Sequence, residues 1–147
     1  MNNTILVTDD NMLDNAIIRN YLYTERYSLI SAVNGREALD LIESRNIDLI
    51  LLDMVMPVMD GYEFLKEFSK THYHKEIPVI VTTNIDEPEN IKKTLEYEIF
   101  DYIVKPLDNI NKLILVNKIK AALKYRNALL NLDKAKKLID QLSLSNH

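Results

Sequence analysis

Five short apolar runs punctuate the chain: Thr4–Val7, Ser28–Val33, Leu49–Leu52, Val79–Thr82 and Tyr102–Val104. All but the second are nearly continuous in apolar residues, which predicts strands buried on both faces. Between them, Met12–Tyr23, Arg36–Ser44, Tyr62–Thr71 and Glu89–Tyr97 carry apolar residues at three- and four-residue spacing, the period of amphipathic helices. Strict alternation with short connections predicts an α/β fold: one parallel sheet, right-handed crossovers and helices on both faces. Periodicity leaves the strand order open. From Asp108, a candidate N-cap, the chain runs without Pro or Gly to His147. That is about three times the length a last helix needs to cover such a sheet.

In open sheets of this kind, ligands bind beyond the carboxyl ends of the strands. Strand one leads into Thr8-Asp9-Asp10, strand three into Asp53-Met54-Val55-Met56-Pro57, strand four into Thr82-Thr83-Asn84 and strand five into Lys105-Pro106. Three carboxylates on one edge repel one another unless a cation sits among them. Oxygen ligands, without cysteine or clustered histidine, favour a hard ion, Mg²⁺. Each group also has a plainer reading. The acidic pair resembles a helix start, with Asn11 or Asp14 sharing the capping; Lys105-Pro106 resembles an ordinary strand exit. Met54, Met56 and Met59 are expected to fill gaps in packing rather than bind metal. His72 and His74 match no ligand spacing and are expected to be solvated.

Taken in order, Asp9-Asp10, Asp53-Met54-Val55-Met56-Pro57, Met59-Asp60-Gly61, Ile77-Pro78, Thr83 and Tyr102-Ile103-Val104-Lys105-Pro106 resemble the receiver domains of two-component response regulators, over residues 3–125. The resemblance implies a flavodoxin-like sheet of order 2-1-3-4-5. It implies Asp53 as phosphoacceptor, Asp10, Asp53 and the Val55 carbonyl as direct Mg²⁺ ligands, and Asp9 as a ligand through water. Lys105 would hold a phosphoryl oxygen, across a cis peptide to Pro106. Thr83 and Tyr102 would be the switch pair, although Tyr102 reads equally well as static packing. The implied donor is a phosphohistidine on a sensor histidine kinase or phosphotransfer protein.

Departures from the family pattern are informative. Asn84 stands where Ala or Gly usually follows the threonine, so it narrows access or adds a hydrogen bond. Glu98 stands where a left-handed helix cap usually has Gly, so the cap is built differently or is strained. Val55 and Ile85, two residues after Asp53 and Thr83, are apolar where polar side chains can orient a hydrolytic water, which implies slow autodephosphorylation.

The remaining expectations concern partners. Ala121, Tyr125, Ala128, Leu132, Ala135, Ile139 and Leu142 alternate at four- and three-residue spacing, a weak coiled-coil seam that predicts a homodimer or, failing that, a helix packed on its own domain. A receiver domain at 1–125 and a helical extension at 126–147 follow. Val116–Leu123 and Leu138–Ser145 resemble linkers ahead of output domains that make or degrade cyclic dinucleotides, so an output domain or a downstream protein is the expected receiver of the signal. A chain of 147 residues with net charge −4 and pI near 5.4 is suited to one acidic domain and not to nucleic acid. Its longest apolar runs fall far short of the ~20 residues that cross a bilayer. A cytoplasmic regulator is expected, with no turnover chemistry of its own; the rival is a receiver-like interaction module independent of phosphate. A flavodoxin would need a Ser-, Thr- or Gly-rich first loop, and a haloacid-dehalogenase-type phosphatase an Asp where Val55 stands.

Overall fold

The structure, a computed structural model, describes residues 2–84, 88–105 and 109–146. Five strands, β1 (Thr4–Thr8), β2 (Ser28–Ala32), β3 (Leu49–Leu52), β4 (Val79–Thr83) and β5 (Asp101–Val104), form one parallel sheet of order β2-β1-β3-β4-β5. They alternate with α1 (Met12–Tyr23), α2 (Gly35–Ser44), α3 (Gly61–Phe68), α4 (Pro88–Leu95) and α5 (Asn109–Ser145). This is the flavodoxin-like arrangement, with the extended last helix that the sequence suggests.

The uninterrupted apolar strands follow from burial on both faces. Leu6, Ile50, Leu52, Val79 and Val81 join Phe64, Leu65 and Phe68 of α3 and Ala38, Leu39 and Ile42 of α2 in one core. Their neighbours Ile5, Val7, Leu49, Leu51 and Ile80 point the other way, onto Ile18 and Leu22 of α1 and Leu115, Ile119 and Leu123 of α5. The helices begin on polar caps. Asn11, Asn34 and Asp60 accept backbone N–H groups in the first turns of α1, α2 and α3, so Asn11 starts α1 and leaves Asp9 and Asp10 for other work. Asp108, the sequence candidate for capping α5, lies outside the described residues.

Three local features differ from expectation or resolve it. The third helix stops at Phe68 and a short 3₁₀ helix, His72–Lys75, follows. His74 is not solvated: its side chain is largely covered, with its ring edge-on to Phe68 at 5.7 Å between centroids. The left-handed turn after α4 is formed by Glu98 itself, at φ 55°, so the strain expected there is present.

Helix α5 leaves the fold gradually. Tyr125 lies against Phe100, and Arg126 reaches Asp48 at 3.6 Å. Every residue from 130 to 146 is exposed. Among the described residues, no helix is long and apolar enough to cross a membrane. The two ends of this fold should respond differently to substitution. Phe64→Ala, in the closed core, is expected to lower the unfolding free energy by about 3–5 kcal/mol. In dilute solution Leu132→Asp should leave it within about 0.5 kcal/mol. Urea denaturation followed by circular dichroism measures both.

Candidate functional site

Strand register brings the site together. Thr8 is level with Leu52, so Asp9 and Asp53, the next residue of each strand, emerge side by side. Thr83 is level with Val104, which sets Lys105 across from them. The backbone N–H of Asp53 donates to the Thr8 carbonyl at 2.9 Å and that of Lys105 to the Thr83 carbonyl at 2.7 Å, extending the ladder past the strand ends. Asp9, Asp10 and Asp53 each offer an oxygen within 4.8 Å of the others, a set able to hold a metal ion. Asp9 is fully buried, Asp53 is 6% exposed, and Asp10 is at the surface.

Lys105 is the counter-charge. Its Nζ donates to Asp9 Oδ2 at 2.9 Å and to Asp14 Oδ2 at 2.8 Å, and stands 3.6 Å from Asp53 Oδ2. Asp14 is the site residue that sequence reasoning missed. It lies in the first turn of α1, and no local pattern in the sequence announces that this turn passes over the carboxylate edge. Asp10, Asp14, Asp53, Val55, Asn84 and Lys105 line an open cleft of about 550 Å³. Asn84 is exposed on the wall of this cleft. Met12, Leu13, Val55 and Val58, all largely exposed, make nearby surface apolar.

The loop from β3 to α3 fixes the Asp53 backbone by close approach. A Cβ on Gly61 would lie 2.7 Å from Met54 Cα and 2.8 Å from the Asp53 carbonyl oxygen, so only glycine lets α3 start against the end of β3. Within the loop, the Met59 N–H donates to the Pro57 carbonyl at 2.7 Å around Val58 at φ 67°. That is a γ-turn centred on a β-branched residue, a strained conformation no sequence pattern announced.

Thr83 and Tyr102, the sequence-predicted switch pair, share one crevice under α4 with Met54, Tyr62, Ile91 and Thr94. Thr83 is buried and Tyr102 half-buried against the α2–α3 core. The crevice encloses only about 10 Å³, room for no more than one water. Pro106 and Ile85 lie outside the described residues.

Burial pushes the Asp53 carboxyl up; the Lys105 charge opposes this, the Asp9 charge adds to it, and the N–H groups of Val55 and Met54 pull it down, leaving a pKa of about 6. Burial lowers Lys105, but its hydrogen bonds to Asp14 and Asp9 and the charges of Asp53 and Asp9 more than offset this, so its pKa is raised and it stays cationic. A carboxyl whose pKa is higher folded than unfolded is protonated more readily in the native state, so its ionisation disfavours folding above about pH 6 and the penalty disappears below about pH 4. Asp53→Asn in EDTA should therefore be more stable than the parent at pH 7–8, by up to about 3 kcal/mol, with the difference vanishing as pH falls from 6 to 4. Urea titrations across pH measure this.

Comparison with known proteins agrees with this geometry. The family model for the response regulator receiver domain matches residues 5–118. The two-component response regulator ORR11 of Oryza sativa subsp. indica is 35% identical over 104 residues, 70% of this chain and 71% of that protein. A probable cyclic di-GMP phosphodiesterase of Vibrio cholerae is 36% identical over 104 residues, 71% of this chain but 23% of that protein. The solved response regulator receiver domain protein (CheY-like) of Methanospirillum hungatei JF-1 superposes with a TM-score of 0.78 at 27% identity, over 87% of this chain and 98% of that one. The chain belongs to the response regulator receiver domain family, whose role in phosphorelay signalling is regulatory.

Proposed function

We propose that Asp53 accepts a phosphoryl group from the phosphohistidine of a sensor histidine kinase or phosphotransfer protein, with Mg²⁺ held by Asp10, Asp53 and the Val55 carbonyl and by Asp9 through water. The observation that carries this reading is a buried carboxylate, Asp53, placed by strand register beside two further carboxylates and 3.6 Å from the Lys105 ammonium. The carboxylate set fits a hard divalent ion, which when bound would offset the negative charge of the phosphoryl oxygens. An Asp53 oxygen attacks phosphorus as the bond to the imidazole nitrogen breaks, and Lys105 takes a phosphoryl oxygen. The apolar residues Met12, Leu13, Val55 and Val58 suit docking of a donor protein. Val55 at the cleft supplies no polar group for a hydrolytic water, which favours a long-lived acyl phosphate.

The signal leaves through the face of α4, β5 and α5. Thr83 turns toward the phosphoryl group, and Tyr102, in the same crevice, follows it inward. Helix α4 offers little resistance, since Thr94 is its one buried residue. Residues 1–125 act as the receiver domain of a cytoplasmic regulator and 126–147 as a helical extension toward an output domain or downstream protein. The phosphodiesterase relative supports a catalytic output of the cyclic-dinucleotide class. Two copies pair along Ala121, Tyr125, Ala128, Leu132, Ala135, Ile139 and Leu142; Leu132, Ile139 and Leu142 are all exposed.

Beryllofluoride with Mg²⁺ should bind the parent chain and fail to bind Asp53→Asn or the parent in EDTA, read by NMR shifts of the Thr83 and Lys105 amides. Binding retained in Asp53→Asn would remove Asp53 from its role, and a phosphate-independent interaction module would take its place. In analytical ultracentrifugation the parent should dimerise weakly, more strongly with beryllofluoride, and Leu132→Asp should remain monomeric because it sets like charges face to face in the seam. A parent chain monomeric in both states at high concentration would make the helix a tether.

A further inference from the structure

We propose that Asp14 is a positioning residue that competes with the phosphoryl group for Lys105 and so weakens the hold of the site on a phosphoryl group at Asp53. This rests on the reading of Asp53 as the phosphoacceptor. An ammonium has three N–H donors. In this structure two of them are committed, to Asp9 Oδ2 at 2.9 Å and to Asp14 Oδ2 at 2.8 Å, and Asp53 Oδ2 is left at 3.6 Å, beyond a good hydrogen bond. The lysine that must meet the phosphoryl oxygen is therefore held by two other carboxylates.

Those two are not equivalent. Among the described residues, Asp9 belongs with Asp10 and Asp53 to the carboxylate group able to share a cation, and Asp14 does not. A cation bound there relieves the claim of Asp9 on Lys105 and leaves that of Asp14. Asp14 is also well placed to persist. Its backbone N–H donates to the Asn11 side chain at 3.0 Å, which fixes the first turn of α1, and its carboxylate lines the same cleft as Asp53 while remaining 31% exposed. Its charge acts in the same direction as its hydrogen bond, because a phosphoryl group entering the cleft brings more negative charge close to a carboxylate that no cation has neutralised. Asp14→Asn, which keeps the size of the side chain and its place near the helix start, removes the charge and leaves Lys105 only a neutral amide oxygen, a weaker acceptor than a carboxylate. A tighter grip by Lys105 on the phosphoryl oxygen is the consequence.

The test is the affinity of the full chain for beryllofluoride at saturating Mg²⁺, with the affinity for Mg²⁺ alone measured beside it, both by NMR titration. Asp14→Asn should bind beryllofluoride about five- to tenfold more tightly than the parent, the scale of one charge-assisted hydrogen bond, with no gain in Mg²⁺ affinity. Asp14→Glu, which restores the competing carboxylate, should keep the parent affinity. Unchanged or weaker beryllofluoride binding in Asp14→Asn would overturn the proposal, and so would Asp14→Glu binding as tightly as Asp14→Asn. A lowered melting temperature in Asp14→Asn with unchanged affinities would reduce Asp14 to a helix-start residue. A parent chain that binds no beryllofluoride would overturn the phosphoacceptor reading itself, and this inference with it.

Discussion

A carboxylate at the end of a strand buried on both faces is tolerable only with a counter-charge, and the ammonium of Lys105 supplies it for Asp53 and Asp9 together. Much of the active edge depends on that arrangement. β5 must lie beside β4 with Thr83 opposite Val104 for Lys105 to reach across, and β1 beside β3 with Thr8 opposite Leu52 for the carboxylates to meet. A slip of one residue in either pair would turn the side chains to the opposite face of the sheet. The apolar runs that build the core are thus also what aims the polar groups at its rim.

The second constraint is the connection from β3 to α3. The chain has only two glycines, and both press against this segment: Gly61 on the Asp53–Met54 backbone and Gly35 on Met59. The Gly35 N–H donates to the Met59 carbonyl at 2.8 Å, and Asp60 caps α3 from the same loop. Strain at Val58 is the complement of this pinning, since a β-branched residue keeps positive φ only where its surroundings hold it there. A rigid loop suits the phosphoacceptor role proposed for Asp53, in which its oxygen would meet phosphorus in line.

Against this fixed half of the site, the opposite edge is loosely built. Helix α4 buries a single threonine, whose hydroxyl donates to the Asn90 carbonyl one turn back, and its end turns on a strained Glu98. Tyr102 stands half in and half out beside it. Rigidity at Asp53 and looseness at α4 are a suitable pairing for a switch, because a small electrostatic change has a weakly held element to move.

The order of elements, their burial on both faces and the identity of most site groups were legible in the sequence, because each rests on local information: period, strand length, and the residue that follows each apolar run. Asp9, Asp10, Asp53, Thr83 and Lys105 could be read this way since all five adjoin strand ends. Asp14 could not, because its part is decided by where α1 crosses the edge and by a lysine 91 residues away. His74 looked solvated for a similar reason: its neighbours in sequence are polar, and only the turn after α3 folds it onto Phe68. The strain at Val58 likewise came from the tertiary structure, where loop closure outweighs the preference of a β-branched residue for negative φ, whereas Glu98 was marked in the sequence by standing where the family usually has Gly. By itself the sequence determined which polar groups follow the strands at this edge; only the fold decided which carboxylates share Lys105, because that choice depends on separations of a fraction of an ångström between elements distant in the chain.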